Sequence, residues 1–316
     1  MPQTALSQAA ASLLAAPTDR PPVPARAIDA RLYQILFLSL FLLLGLVTRD
    51  WTLHPTIILV AIVTCCATQA IAQSIVQFLQ WRVEQKSDPW PMPSLQPSTY
   101  YSALITALGL SLLLRVDRWE TMVLACSMAI ASKFLLRVNQ KHIFNPGNFG
   151  IISVLLLTHH AWVSPGQWGE SAWYAALFLL CGGLVLQKVG RWDTTVAFLS
   201  VYVGLEAVRN LYLGWTWDVW GHRLMSGSLV MFALFMITDP RTIPNARSAR
   251  LIWAAAIAAL TFVLRNVYFL NTAVFWALFV LAPLTFLLDW LFQADRFEWL
   301  HPSADRSMTA SPSLDR

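Results

Sequence analysis

Apolar residues run through this chain in blocks too long and too uniform for the one-sided stripe of a soluble helix. The blocks fall at roughly Leu32–Val47, Pro55–Leu79, Tyr100–Leu114, Glu120–Leu136, Phe149–Val163, Ser171–Gln187, Thr194–Leu213, Leu224–Thr238, Ala249–Leu264 and Thr272–Phe292, with polar residues gathered between them. A helix that crosses a bilayer needs about 20 mostly apolar residues. The pattern therefore predicts an all-α integral membrane protein of about ten transmembrane helices. Residues 1–28, rich in alanine and proline and without a charged leader, and residues 293–316, largely polar with Ser, Asp and Arg, are expected to be flexible tails around a membrane domain at 29–292.

Composition agrees with the pattern. Hydrophobic residues make up 57% of the chain and charged residues 12%, against about 25% charged in soluble domains. The net charge of +5 does not point to nucleic acid, because the basic residues are scattered and form no stripe. Their distribution instead sets orientation. Of the 22 Lys and Arg, sixteen fall on one side of the expected spans and six on the other. Cytoplasmic loops carry the excess, so both termini are expected in the cytoplasm of a bacterial-type inner membrane. Trp51, Trp119, Trp162, Trp168, Trp215, Trp217 and Trp220 gather on the opposite side, where indole rings favour the headgroup level.

Two connectors stand out. "KHIFNPGNFG" runs from Lys141 to Gly150, and "MITDPRTIPN" from Met236 to Asn245. Four expected spans separate them, so both face the same side. Each places an Asx residue directly before proline, Asn145-Pro146 and Asp239-Pro240. Asx suits a helix N-cap and proline the first helical position, so both dipeptides are expected to start helices whose free N–H groups favour anions. With Lys141, His142, Arg241, Arg247 and Arg250 nearby, the connectors can form a cradle for a phosphate or an electron-rich ring. Gly147 and Gly150 permit close approach of a ligand or a second helix. The same residues also serve simply to end one helix, start the next and satisfy the charge bias.

Other chemistry is sparse. Cys65, Cys66, Cys126 and Cys181 lie inside apolar runs without metal-ligand spacing and read as packing thiols. Adjacent His159 and His160 point about 100° apart on a helix and do not share an ion easily. Glu206 and Arg209, three apart, can pair on one helix face, or Glu206 can line an ion path.

The segments "SKFLLRVNQKHIFNPGNFG", "WDTTVAFLS", "LMSGSLVMFALFMITDPRTIPN" and "ARLIWAAAIAALTFVLRN" together resemble the RnfD/NqrB family, membrane subunits of respiratory complexes that couple electron flow to ion pumping. The resemblance implies a ten-span fold of two inverted five-helix repeats, and flavin as cofactor. Family members carry a flavin mononucleotide on a threonine in a Ser-Gly-Ala-Thr-like motif between the fifth and sixth spans. Here that interval reads "LLLTHHAWVSPGQWGESAWYA", which lacks the motif and resembles a shortened branch, similar to membrane proteins of enediyne gene clusters. The expected cofactor is thus a noncovalent flavin, FMN or riboflavin. The expected site comprises Lys141, His142, Asn145, Pro146, Gly147, Asn148, Asp239, Pro240 and Arg241, with Ser226 and Gly227 from the small pair ahead of the second connector. The expected partners are the lipid bilayer, other membrane or flavoprotein redox subunits, and quinone. A transporter of flavin or another small molecule, and a cofactor-free scaffold subunit, are the alternatives.

Overall fold

The computed structural model describes residues 29–48, 53–83, 97–139, 141–164 and 172–297. The tail expected at 1–28 and all but the first five residues of the tail expected at 293–316 lie outside them, as do Trp51 and Trp168 of the expected tryptophan belt. The described chain is helical almost throughout: α1 Ala30–Thr48, α2 Pro55–Val83, α3 Pro97–Leu113, α4 Trp119–Leu135, α5 Pro146–Leu157, α6 Ala172–Val189, α7 Trp192–Tyr212, α8 Trp217–Leu224, α9 Gly227–Met231, α10 Arg247–Asn266, α11 Ala273–Leu281 and α12 Leu284–Leu291. Helices α1 to α5 pack together, α7 packs along α10, α10 on α11, and α5 meets α11. Length and apolarity mark α1, α2 and α10 as able to cross a membrane alone, and the bent pairs α8 with α9 and α11 with α12 as able to do so together. These are five of the ten expected spans; α3, α5 and part of α6 are shorter apolar helices.

Three expected spans change character. The block Phe149–Val163 is not one helix. Helix α5 ends at Leu157, where the Thr158 hydroxyl donates to the Val154 carbonyl and the backbone turns extended. Strand β4, Ala161–Val163, then pairs antiparallel with β1, Leu114–Val116, in the register Leu114 to Val163 and Val116 to Ala161. Backbone that leaves a helix in an apolar setting needs new partners, and this ribbon supplies them. Buried Arg115 caps the end of α3 through the carbonyls of Ser111, Leu112 and Leu114.

The block Leu224–Thr238 is broken at Met225–Ser226, where α8 and the following helix meet at 57°. Ser226 is extended, and α9 runs into a π-helical turn over Phe232–Met236. The block Thr272–Phe292 bends by 50° at Pro283, whose missing N–H and ring prevent a straight helix.

A one-turn β-hairpin follows α4: β2, Arg137–Val138, pairs with β3, Lys141–His142, and Asn139 turns the chain at φ +49°. Two buried ion pairs tie α7 to its neighbours. Asp193 at the start of α7 takes the guanidinium of Arg250 at 2.6 Å. Near its other end, Glu206 accepts from Arg223 Nε at 2.8 Å, Asn266 Nδ2 at 2.8 Å and the Tyr202 hydroxyl at 3.1 Å. The expected pairing of Glu206 with Arg209 is therefore replaced. Arg209 lies over the Trp215 ring at 4.8 Å, because Glu206 faces the buried α7–α10 seam while Arg209 turns toward the helix end.

Gly150 is where α4 and α5 touch. A Cβ there would sit 2.6 Å from the Ala125 carbonyl and 2.9 Å from the Ala129 Cβ, whereas one at Gly147 meets nothing nearer than 3.5 Å. Gly150→Leu is expected to cost about 1–3 kcal/mol or more through overpacking, and Gly147→Ala much less. Thermal unfolding in detergent ranks the two. By the same assay Glu206→Ala, which strands buried partners, costs about 3 kcal/mol, and Arg209→Ala at most about 1 kcal/mol.

Candidate functional site

The site begins at Asn145. Its side chain accepts from the Asn148 N–H at 3.1 Å and so caps α5, with Pro146 in the first turn. The same amide donates to the Met236 carbonyl and to Asp239 Oδ2, each at 3.3 Å. The two Asx-Pro connectors thus meet directly.

They meet differently from expectation. Asp239-Pro240 does not start a helix: Asp239 Oδ1 accepts from the Arg241 N–H at 3.1 Å, its carbonyl accepts from Thr242, and the next helix begins only at Arg247. Pro244 explains this. A proline lacks the N–H a helix needs and pushes the residue before it out of the helical region, so no turn begun at Pro240 can propagate. One helix N-terminus, not two, borders the site.

Beneath this junction opens a cavity of about 540 Å³, within the range of small-molecule sites. Of the expected site residues, His142, Asn145, Pro146, Gly147, Asp239, Pro240 and Arg241 line it. Lys141 does not. Successive strand residues point to opposite faces, so while His142 faces the cavity, Lys141 turns to Asp289 at 2.5 Å. Asn148 donates to the Phe275 carbonyl at 3.1 Å across the α5–α11 contact. Ser226 lies at the helix break beside Ser228, 2.9 Å away, and neither Ser226 nor Gly227 reaches the cavity. Arg250 is held by Asp193, and Arg247 lies over Trp192 near the same carboxylate. The cradle therefore keeps only Arg241 of the three arginines assigned to it.

Other side chains complete the lining. Lys133, buried near the end of α4, donates to the Ser102 carbonyl and hydroxyl at 3.1 and 3.0 Å. Arg137 stands at the rim over Phe134. Along α2, Gln69, Gln73, Gln77 and Gln80 face the cavity, a polar ladder of about 16 Å at 1.5 Å per residue. Spacings of four, four and three put them on one face of an apolar helix. That stripe is legible in the sequence, and the connector motifs gave no hint of it. The oxygens Gln69 Oε1 and Gln73 Oε1 and the nitrogen His142 Nδ1 are buried without a hydrogen-bond partner among the described residues. Unmet groups of this kind are uncommon in native folds, and these three line the same cavity.

The electrostatics are lopsided. Burial, reinforced by the charges of Arg137, Arg241 and Lys133, pushes His142 down to about 3, so its ring is neutral at neutral pH. Burial pushes the Asp239 carboxyl up, against the pull of the Arg241 N–H and charge. Burial also lowers Lys141, opposed by Asp289.

Residues 119–298, more than half the chain, match the NQR2, RnfD, RnfE family. Among individual proteins, the chain is 34% identical over 128 residues to the D component of the ion-translocating oxidoreductase complex of Stutzerimonas stutzeri, covering 40% of this chain and 35% of that one. It is 28% identical over 157 residues to the component of the same name from Halorhodospira halophila, covering 48% and 41%. For that of Klebsiella pneumoniae the figures are 35% over 107 residues, 32% and 27%. The chain thus spans less than half the length of these curated relatives.

The depressed His142 has a consequence for stability. Its ordinary value is 6.5, so between about pH 6.5 and 3 the unfolded chain binds a proton that the folded chain refuses. Stability should rise with pH across that window and fall on acidification, by up to about 1.4 kcal/mol per pH unit. Thermal unfolding at pH 7 and pH 5 is expected to show the loss, and His142→Asn to reduce it.

Proposed function

The chain belongs to the NQR2, RnfD, RnfE family, and from that premise we propose that it is a membrane-embedded electron-transfer subunit holding a flavin noncovalently in the cavity beneath Asn145 and Asp239. The observation that carries the reading is the combination of a ligand-sized cavity with buried, unpartnered polar atoms on Gln69, Gln73 and His142. A flavin ring offers both donors and acceptors at its edge. The amide oxygens of Gln69 and Gln73 would accept from a ring N–H, and neutral His142 and the Asn145–Asp239 junction would fix the opposite side. When bound, the flavin supplies the redox chemistry. The chain binds it, orients it, keeps bulk water from it and sets the local charge.

The relatives' names describe subunits of ion-translocating oxidoreductase complexes, which supports a role beside other membrane or flavoprotein redox subunits, with quinone as a candidate electron acceptor. The Lys and Arg bias supports an inner-membrane placement with the cavity mouth and both termini toward the cytoplasm. A bent helix beside an open cavity is also how transporters build sites, and the break before α9 gives that second reading its footing.

Protein purified in mild detergent is expected to carry a flavin absorbance band released by denaturation, or to take up added FMN or riboflavin at one site. A colourless preparation that takes up neither rejects the reading. Reduction of the bound flavin without uptake of riboflavin into proteoliposomes separates electron transfer from transport.

A further inference from the structure

A second group of cations lies outside the cavity, where the end of α6, the start of α7 and the segment after α12 come together. Lys188 stands in the last turn of α6, Arg191 immediately before α7, and Arg296 after α12; none of them lines the cavity. Arg191 and Arg296 are both near enough for their charges to act on Lys141, which puts them at one corner of the fold, and Lys188 is three residues before Arg191. All three belong to the side where Lys and Arg predominate. The carboxylates of this corner are taken: Asp193 holds Arg250 at 2.6 Å and lies 3.9 Å from Arg247, and Asp289 holds Lys141 at 2.5 Å. Lys188, Arg191 and Arg296 pair with no carboxylate among the described residues, Asp295 beside Arg296 included.

Two of the three rest on aromatic rings instead. Lys188 Nζ lies 5.9 Å from the centre of the Tyr33 ring on α1, and the Arg191 guanidinium 5.2 Å from that of Phe297. A cation over a ring face is held in place but keeps its charge and its donors. Arg191 Nε is moreover buried without a hydrogen-bond partner among the described residues, and such orphaned donors are uncommon. The corner lacks an acceptor as well as a negative charge.

The surface that continues from these cations along the helices is apolar. Leu184 and Leu180 stand four and eight residues before Lys188 on one face of α6, and Trp192 and Val196 share a face of α7; all four are exposed. That stretch of α6 runs about 12 Å at 1.5 Å per residue.

We propose that this corner binds an anionic phospholipid, with its phosphate between Lys188, Arg191 and Arg296 and its acyl chains along the apolar flanks of α6 and α7. Basic groups at the cytoplasmic ends of membrane helices attract anionic headgroups, guanidinium forks suit phosphate oxygens, and the Arg191 Nε–H gains its acceptor. An acidic soluble protein would answer the charges and leave the leucine flank unused; a lipid answers both. The inference stands independently of what fills the cavity.

Native mass spectrometry of the full chain, released from nonionic detergent micelles doped with dioleoyl phosphatidylglycerol or dioleoyl phosphatidylcholine, tests this. One phosphatidylglycerol should be retained at least about tenfold more tightly than phosphatidylcholine. The preference should disappear in the Lys188→Gln, Arg191→Gln, Arg296→Gln triple variant, fall in Arg191→Gln alone, and persist in Arg82→Gln, which removes the same charge from the exposed end of α2. An unchanged thermal unfolding midpoint in phosphatidylcholine micelles verifies that each variant is folded, and the wild-type comparison needs no variant. Equal retention of the two lipids overturns the proposal. So does an equal loss in Arg82→Gln and Arg191→Gln, which would reduce the preference to a diffuse field. Glycerol 3-phosphate in excess should leave the phosphatidylglycerol bound; its displacement would assign the corner to a small soluble phosphate and overturn the lipid.

Discussion

A backbone polar group in an apolar setting must find a partner within the protein, and the broken helix after Ser226 is where this constraint shapes the molecule. The π-helical turn at Phe232–Met236 departs from the regular α ladder, and side chains come to its carbonyls. Thr195 donates to Ala233 at 2.6 Å, Thr238 to Leu234 at 2.9 Å and Asn145 to Met236 at 3.3 Å. Asn145 is the member that also caps α5 and reaches Asp239. One amide thus fixes the start of a helix, the end of a π turn and the carboxyl of the second connector, and the cavity lies under the three.

Charge in this fold divides into what holds helices together and what is left for a guest. Lys141 with Asp289 and Arg250 with Asp193 join elements far apart in the chain, and Arg223 with Glu206 ties α8 to α7. The Lys141 clamp is braced further: Asp289 also accepts from the Asn245 N–H at 2.7 Å, and the Asn245 carbonyl takes a hydrogen bond from Arg250. Hairpin, second connector, α10 and α12 are thereby locked to one another. These charges are committed to structure, which is why Lys141, next to His142 in the chain, and Arg250 take no part in the cavity. Lys133, Arg137 and Arg241 remain, and the site inherits their sign.

The apolar blocks made the helical membrane class and most element positions legible, because burial in lipid demands hydrophobicity along the whole length of a helix whatever its neighbours. Asn145-Pro146 was equally readable, since an N-cap is a local contract between a side chain and the N–H three residues on. Asp239-Pro240 misleads for an equally local reason: Pro244 stops a helix from forming, and its effect has to be weighed together with the first proline. The ribbon at Leu114–Val116 and Ala161–Val163 was hidden because each strand is only three residues long and its partner lies some 45 residues away.

The chain by itself determined that helices form, roughly where they begin, and that both Asx-Pro connectors share one side, since these follow from hydrophobic length, capping chemistry and the bias of positive charge. Only the tertiary structure decided which charges are spent and which are free. That choice turns on strand alternation at Lys141 and His142, on the face of α7 that Glu206 occupies, and on the glutamine face of α2 lining the same cavity as His142, and each is a matter of packing between segments that sequence spacing does not encode.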